Sequence, residues 1–457
     1  MRRMILLALC GLFLSMVERA NGQQTEKCAT FHILQQNLDQ YPELRANYEH
    51  QRQHRLNQAA ALLESEDASP LYKTTQTVTI PVVFHVVVTQ AQLNQLGGTN
   101  GVRNRMMKQI EVLNQDFAGL NPDSVNIPGP FKPLFAKGSI RFAPAHRTPT
   151  NAATEGFEIR ITTINGFPAG VGLGGSENIK LYNAGGLDTW DPDKYLNIWV
   201  GGLSNPGILG FAVPPSFVGG GIPKEAIGVV LRYSVFGKRQ SVTQYFWPAN
   251  NDEGRTATHE VGHFFELEHT FGQNSSCPGA GDIDDGIADT PPQAAETFSS
   301  NNNCPPFPKT DVCTPTGNGI MWMNFMDYVE DGCMNMFTKG QEALMKVQVS
   351  PGGLSHSLTQ HPEVLEWPTN VAAIEKNAGI TIYPNPATGR IQISFADAKD
   401  LESISVNNIV GQTVRQLVVT DPAINNYNID LTGQSAGVYL VHCTFASGTV
   451  TKKIVLR

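Results

Sequence analysis

The chain has 457 residues, of which 41% are hydrophobic and 16% charged, the balance of a folded globular protein rather than a disordered one. Its length leaves room for two to four domains, and a net charge of −8 provides no basic stripe of the kind that binds nucleic acid. Gly is abundant and helix-forming runs are few, which favours a loop-rich, strand-rich exported protein.

Residues 1–22 read as a secretory signal. Arg2 and Arg3 precede an apolar run from Met4 to Val17, and Ala20-Asn21-Gly22 supplies small residues before Gln23. The run is too short to span a bilayer, and no later segment is apolar enough to do so. The mature chain is therefore expected outside the cell, where disulfides persist. Residues 23–75 change in character: Gln, His, Arg and Glu dominate, with helical spacing through Leu34, Leu38 and Leu44 and again from Leu56 to Leu63. This predicts a helical pro-segment, with Arg52 and Arg55 as candidate cut sites. Its one cysteine, Cys28, has no local partner. It is either a free or distantly paired thiol, or a switch whose thiolate holds the open position of a zinc ion.

A core strand is expected at Val78–Val88 and a helix over Arg103–Gly119, where Met106, Ile110, Leu113 and Phe117 recur at helical spacing. Further strands are expected at Ser139–Ala143, Glu158–Thr163, Tyr195–Val200 and Ile227–Leu231. Their alternation with helices predicts an α/β sandwich with a mixed sheet in residues 76–350. The stretch Gly207–Ala212 reads as an edge strand able to accept an extended peptide.

The chemistry is concentrated at His259-Glu260-Val261-Gly262-His263. On a helix the two imidazoles lie one turn apart on one face, within reach of one zinc ion, while Glu260 is left to act as general base. The bland alternative is an amphipathic helix with two surface histidines. His269 follows six residues after His263. An unbroken helix from His259 to His269 would rise roughly 15 Å, so the chain must turn by about Leu267 if all three are to share an ion. Glu266 itself lies roughly 10 Å of helix rise from His259, which argues against it as a ligand in place of His269.

Beyond His269, Cys277, Cys304, Cys313 and Cys333 form an even set in a loop-rich segment, for which two disulfides are the default and three pairings are open. Between them, Gly281–Thr290 carries four carboxylates around a Gly turn. It is either a calcium loop, with Asp285 and Thr290 among its oxygens, or a solvated acidic loop. Met326 stands in a predicted tight turn, followed by Tyr328 and, on the next loop, Asp331. Residues 351–379 read as a Pro-containing linker. Residues 380–457 alternate as six short strands, a small β-sandwich in which Cys443 is expected as a buried thiol.

HEVGHFFELEHTF, GDIDDGIADTPPQ and NFMDYVEDGCMNMFTKGQ together resemble the pappalysin/cytophagalysin family of metzincin zinc metallopeptidases, over roughly Ile80 to Gly340. The resemblance implies a metzincin-like α/β domain with a twisted mixed sheet and an active-site helix. It implies His259, His263 and His269 as zinc ligands, Glu260 as general base, Met326 as the Met-turn residue and Tyr328 as a tyrosine that swings onto the metal or the oxyanion. It also implies the disulfides Cys277–Cys313 and Cys304–Cys333, and Asp331 at the base of an S1′ pocket selecting Arg over Lys. Two positions depart from the pattern: Glu266 replaces the turn Gly, and Leu344 stands where an Arg often follows the Gly-Gln pair. Tyr383-Pro384-Asn385-Pro386, Gly437–Val441 and Lys452–Val455 resemble the sorting domain of type IX secretion cargo, against the alternative of a carbohydrate-binding or adhesive sandwich.

The expected protein is thus a secreted zinc endopeptidase made as a zymogen, acting on protein and peptide substrates and exported by the type IX machinery, with Zn2+ and possible Ca2+. The competing expectation, prompted by Glu266, is a zinc-stabilised binding or adhesion protein that keeps the fold without catalysis.

Overall fold

The computed structural model describes residues 26–68, 77–170, 178–272, 284–367 and 379–457, apart from 397, 399–400, 410, 422–423 and 446–447. The continuous apolar run Val78–Val88 forms β1, which lies inside the main sheet with nine consecutive buried residues. Such a run suits a strand covered on both faces. It pairs in parallel with β2 (Ile140–Pro144), β3 (Phe157–Ile161) and β4 (Leu196–Gly201). β4 then pairs in parallel with β6 (Gly228–Arg232), and β5 (Gly210–Val213) closes the sheet antiparallel to β6. The expected mixed sheet is present with boundaries shifted by a few residues, and β5 is its edge.

The helix expected at Arg103–Gly119 is longer, α4 over Gly98–Ala118, and follows a short α3 at Gln90–Leu96 that the sequence reading did not separate. A capping box at Thr89 and Gln92 starts α3, and a left-handed Gly97 ends it and lets the chain re-enter a helix at once. α4 packs on β2 and on α5 (Arg255–Phe264), the helix that carries His259 and His263. α6 (Lys339–Val349) starts from a second capping box, Thr338 with Gln341.

The N-terminal segment forms the two expected helices, α1 (Thr30–Gln40) and α2 (Glu43–Ala68). They are integral to the packing: Ile33, Leu34 and Leu38 are buried with Phe211 and Phe217, and α2 lies on α6. The linker expectation needs correction. Residues 356–365 are packed on the main domain, with Leu358 and Val364 buried and the Val364 carbonyl accepting the His146 amide at 2.7 Å. Their apolar side chains are spaced to be covered, which Pro content alone concealed. Of the rest of 351–379, residues 368–378 lie outside the described residues.

The C-terminal strands form a four-stranded antiparallel sheet, β10 (Thr413–Val418), β9 (Leu401–Asn408), β12 (Gly437–Phe445) and β13 (Gly448–Leu456). A three-stranded one is made of β11 (Asn426–Asp430), β8 (Arg390–Ser394) and β7 (Thr381–Tyr383). Their inner faces share a separate core that buries Cys443 as a free thiol. Among the described residues no helix is long and apolar enough to cross a membrane.

Candidate metal centre

α5 is buried along its whole length, so its start must be held by polar groups rather than by solvent. The Asp331 carboxylate accepts the backbone N–H of Glu253 at 2.9 Å and of Arg255 at 3.1 Å. The Arg255 guanidinium grips Asp123 through both terminal nitrogens, at 2.8 and 3.0 Å, and donates to the carbonyl of Met334 at 2.8 Å. The other end stops in a Schellman arrangement: the Leu267 amide donates to the Gly262 carbonyl at 3.0 Å and the Glu266 amide to that of His263 at 2.8 Å. Glu266 takes the left-handed position this closure demands, with φ 72°. The substitution for Gly therefore leaves the turn intact at a cost of about 1–2 kcal/mol.

That turn swings His269 back beside the helix. The three Nε2 atoms stand 3.1 Å (His259–His263), 3.0 Å (His263–His269) and 3.2 Å (His259–His269) apart. Ligand nitrogens ~2.0–2.1 Å from one tetrahedral ion would be separated by about 3.3 Å. The Nδ1 atoms of His259 and His263 bond the carbonyls of Phe325 and Leu267, each at 2.7 Å, which leaves Nε2 as the free lone pair. Burial lowers the pKa of all three imidazoles, to about 4 for His259, so each is neutral, as a ligand must be. The donor set fits zinc.

A fourth donor comes from the N-terminal segment. The Sγ of Cys28 joins the three imidazoles, with all four donor atoms within 4.8 Å of one another. Among the described residues this is the one group of His, Cys, Asp and Glu side chains that converges tightly enough for an ion. Cys28 reaches it by β-addition to the predicted edge. It bridges Gly210 in parallel; the Leu209 amide donates to the Lys27 carbonyl at 2.7 Å, and the Ala29 amide to that of Gly210 at 3.2 Å. The Thr30 hydroxyl continues the pairing by accepting the Ala212 amide at 2.9 Å. Phe31 then covers the cluster, edge-on to His263 and His269 with ring centroids 5.3 Å away in each case.

Glu260 points at the same spot from the helix. Its Oε2 accepts from the Cys28 thiol and from the Thr30 hydroxyl, each at 3.3 Å. Burial raises its carboxyl to about 8, and burial together with the Glu260 charge holds the thiol well above its usual range. Met326 lies beneath the centre. A Cβ added at Gly262 would meet its Sδ at 2.6 Å, so the glycine inside the motif makes room for the Met326 side chain. The Tyr328 hydroxyl donates to the Cys28 carbonyl at 3.4 Å, and its ring packs on His269 with centroids 4.9 Å apart.

Next to this centre is a pocket lined by Lys27, Glu260, Tyr328, Asp331 and Met334. Burial lowers the Lys27 ammonium pKa, and the Asp331, Glu330 and Asp327 carboxylates oppose that shift. Lys27 and Thr30 were missed in the sequence; the only signal was a basic residue immediately before an isolated Cys. Asp331 lines this pocket, and one of its oxygens is committed to the start of α5, where it accepts the amides of Glu253 and Arg255.

Other expectations fare differently. Glu266 does not reach the cluster; its carboxylate accepts the Ser216 hydroxyl at 2.6 Å and amide at 3.2 Å, and pairs with Arg55 at 3.2 Å. Arg52 and Arg55 are not open cut sites. Both are buried, Arg52 in a two-pronged pair with Glu268 that also reaches the Asp284 carbonyl at 2.8 Å. A helix face with arginines three apart reads as a solvated protease target only until acidic partners are known. Asp285 and Thr290 do meet, but on each other: one Asp285 oxygen accepts the Thr290 hydroxyl at 2.7 Å and the Ile287 amide at 3.0 Å. Cys304 and Cys333 are bonded as the resemblance implied. Cys313 is disulfide-bonded, while its expected partner Cys277 lies outside the described residues. Leu344 is buried against the cavity that holds Arg52 and Arg55.

Residues 185–350 match the family described as pregnancy-associated plasma protein-A, and residues 381–457 match the secretion system C-terminal sorting domain. Among solved structures, mirolysin in complex with a small compound is 37% identical, covering 64% of this chain and 99% of that chain with a TM-score of 0.55. A promirolysin variant from Tannerella forsythia is 31% identical over 75% of this chain and 100% of that chain, with a TM-score of 0.60. An extracellular metalloprotease of Arthroderma benhamiae is 29% identical over 296 residues, 63% of this chain and 79% of its own length. One from Arthroderma otae reaches 48% identity over 92 residues, a match spanning 20% of this chain and 30% of that relative.

Proposed function

This chain belongs to the Peptidase_M43 (pappalysin) family of metzincin zinc metallopeptidases and carries a type IX sorting domain; from that premise we propose that it is an exported endopeptidase kept latent by its own N-terminal segment. The observation that carries this reading is the placement of the Cys28 sulfur among three imidazoles, 3.3 Å from Glu260. His259, His263 and His269 would hold the zinc ion, which when bound supplies Lewis acidity to a scissile carbonyl. Coordination by Cys28 requires loss of the thiol proton, and Glu260 is the group placed to accept it. In that form the thiolate and the Tyr328–Cys28 contact occupy the positions that water and substrate need.

Removal of residues 26–68 would uncover the edge of β5, on which a substrate strand pairs. Glu260 then takes a proton from the attacking water and later delivers it to the leaving amine, a role suited to a carboxyl whose pKa is raised toward neutrality. Tyr328, released from the Cys28 carbonyl, is within a ring's width of His269 and donates to the developing oxyanion. The pocket lined by Lys27 and Asp331 is the P1′ subsite. A buried carboxylate wall favours a guanidinium over an ammonium because it accepts paired hydrogen bonds. Lys27 contributes a basic side chain of the chain itself to this pocket, under the influence of the Asp331, Glu330 and Asp327 carboxylates, which supports P1′ Arg as the preferred residue and Lys as the second choice.

The test is cleavage of a denatured protein by activated enzyme, by Glu260→Gln and by enzyme stripped of zinc, with metal content measured in parallel. Glu260→Gln that binds stoichiometric zinc and has lost cleavage by at least about 10³-fold supports the assignment. Full activity in that variant removes Glu260 from the reaction, whereas absence of cleavage by the zinc-loaded, activated wild type returns the non-catalytic binding protein as the better reading.

A further inference from the structure

The N-terminal segment touches the main domain with basic side chains on both sides of Cys28. Lys27, immediately before it, lines the Asp331 pocket. After it, Phe31 crosses His263 and His269, the chain continues through α1, and α2 brings Arg52 and Arg55 down on the turn that ends α5. The cavity there is lined by Glu266, Glu268 and Asp285 and adjoins the space beside His263. Arg52 meets Glu268 through two guanidinium nitrogens, and Arg55 meets Glu266 at 3.2 Å. Ser216 donates twice to Glu266 and holds that carboxylate in place. Asp285 is buried in the same wall, and its Oδ2 has no hydrogen-bond partner.

Carboxylates so buried are maintained only against a positive partner, because desolvation of an uncompensated charge costs several kcal/mol. Glu266 and Glu268 both belong to the main domain, whereas the guanidinium groups belong to the segment that activation removes. We infer that Glu266, Glu268 and Asp285 form a second receptor for a basic side chain, occupied here by Arg52 and Arg55 and filled in the mature enzyme by an arginine of the peptide substrate. This rests on the zymogen reading above. Because Lys27 lines the pocket of His259, Glu260 and Asp331 whereas Phe31 lies against His263 and His269 beside Glu266 and Glu268, and the Lys27 side is assigned to P1′, the second receptor serves the non-primed side. The two receptors would make the enzyme favour substrates with basic residues flanking the cut on both sides.

The experiment compares peptides that share one scissile bond, with Arg at P1′, and carry either Arg or Gln at positions P2 to P4. In the activated wild type an arginine at one of those positions should raise kcat/KM by about tenfold over glutamine. The ratio should fall to about one in Glu268→Gln or Glu266→Gln, which keep side-chain size and remove the charge. A second arm needs no turnover: a synthetic peptide of residues 43–68 should bind the activated enzyme at least about tenfold more tightly than the same peptide with Arg52→Gln and Arg55→Gln. If cleavage is absent altogether, the endopeptidase reading fails while the binding arm still decides this one. Equal binding of the two helical peptides, or an arginine preference that survives both substitutions, overturns the second receptor.

Discussion

Arg55 lies 3.2 Å from Glu266, so the residue standing in place of the turn glycine is held by the segment that covers the site. Both side chains are buried, with 9% and 5% of their surfaces exposed, which makes this an interior ion pair rather than a surface one. Truncating one partner leaves the other charge desolvated, at a cost of about 3 kcal/mol. Arg55→Ala should therefore loosen the N-terminal segment and speed conversion to the mature enzyme several-fold. Gel-resolved activation kinetics test this, and an unchanged rate would remove Arg55 from latency.

Glu266→Gly should have opposite effects in the two forms. In the latent chain it relieves a left-handed residue, worth about 1–2 kcal/mol, but discards the Arg55 pair and two Ser216 bonds. In the mature enzyme the Arg55 pair is already gone. The melting temperature should fall in the first and hold or rise in the second. A rise in both would show that strain outweighs the ion pair.

Cys28→Ala removes the sulfur from the histidine cluster and leaves the β5 pairing through Lys27, Ala29 and Thr30 in place. The uncleaved variant should show peptide hydrolysis at least about tenfold above that of the uncleaved wild type. Residual latency should come from strand pairing. Activity of the intact chain, read before any mature band forms, is the measurement, and no difference from wild type would rule out the switch.

Asp331→Asn should lower the Arg preference at P1′ and also weaken the start of α5, since the same carboxylate accepts the amides of Glu253 and Arg255. The carboxamide oxygen keeps those bonds in part, so stability should fall by about 1 kcal/mol while P1′ Arg selectivity falls by about tenfold. A peptide library read by mass spectrometry separates the two. Retained Arg selectivity would assign Asp331 to the helix start alone.

Lys180 is fully buried, packs over Trp199 and Phe211, and is pushed by burial from 10.5 to about 7. The folded state therefore binds fewer protons than the unfolded state between about pH 7 and 10.5. Its contribution to stability is fully present above the unfolded pKa and is lost as pH falls toward the folded one. Against Lys180→Met, the wild type should gain about 2 kcal/mol between pH 7 and 9. Urea unfolding at those two pH values checks it, and parallel curves would place the ammonium in solvent.

The linear chain by itself determined the parts whose physics is local. A strand buried on both faces needs an unbroken apolar run, and Val78–Val88 has one. Two imidazoles four residues apart face one ion on any helix, and alternating side chains marked the strands after Arg390 to within two or three residues. The disulfide Cys304–Cys333 came from resemblance, since spacing left three pairings open. What depended on residues far apart in sequence was decided only by the fold. The turn at Glu266 is closed by a Schellman pattern that tolerates a side chain, and Ser216 and Arg55, distant in sequence, give that side chain its partners. Arg52 and Arg55 read as exposed cut sites because nothing within α2 pairs with them; their carboxylates lie more than two hundred residues away. Cys28 had no local partner for the same reason. Its neighbours, Glu260 and the three histidines, meet it only because the edge of β5 accepts the segment as an added strand, and backbone pairing of that kind depends on an open sheet edge rather than on any side-chain motif.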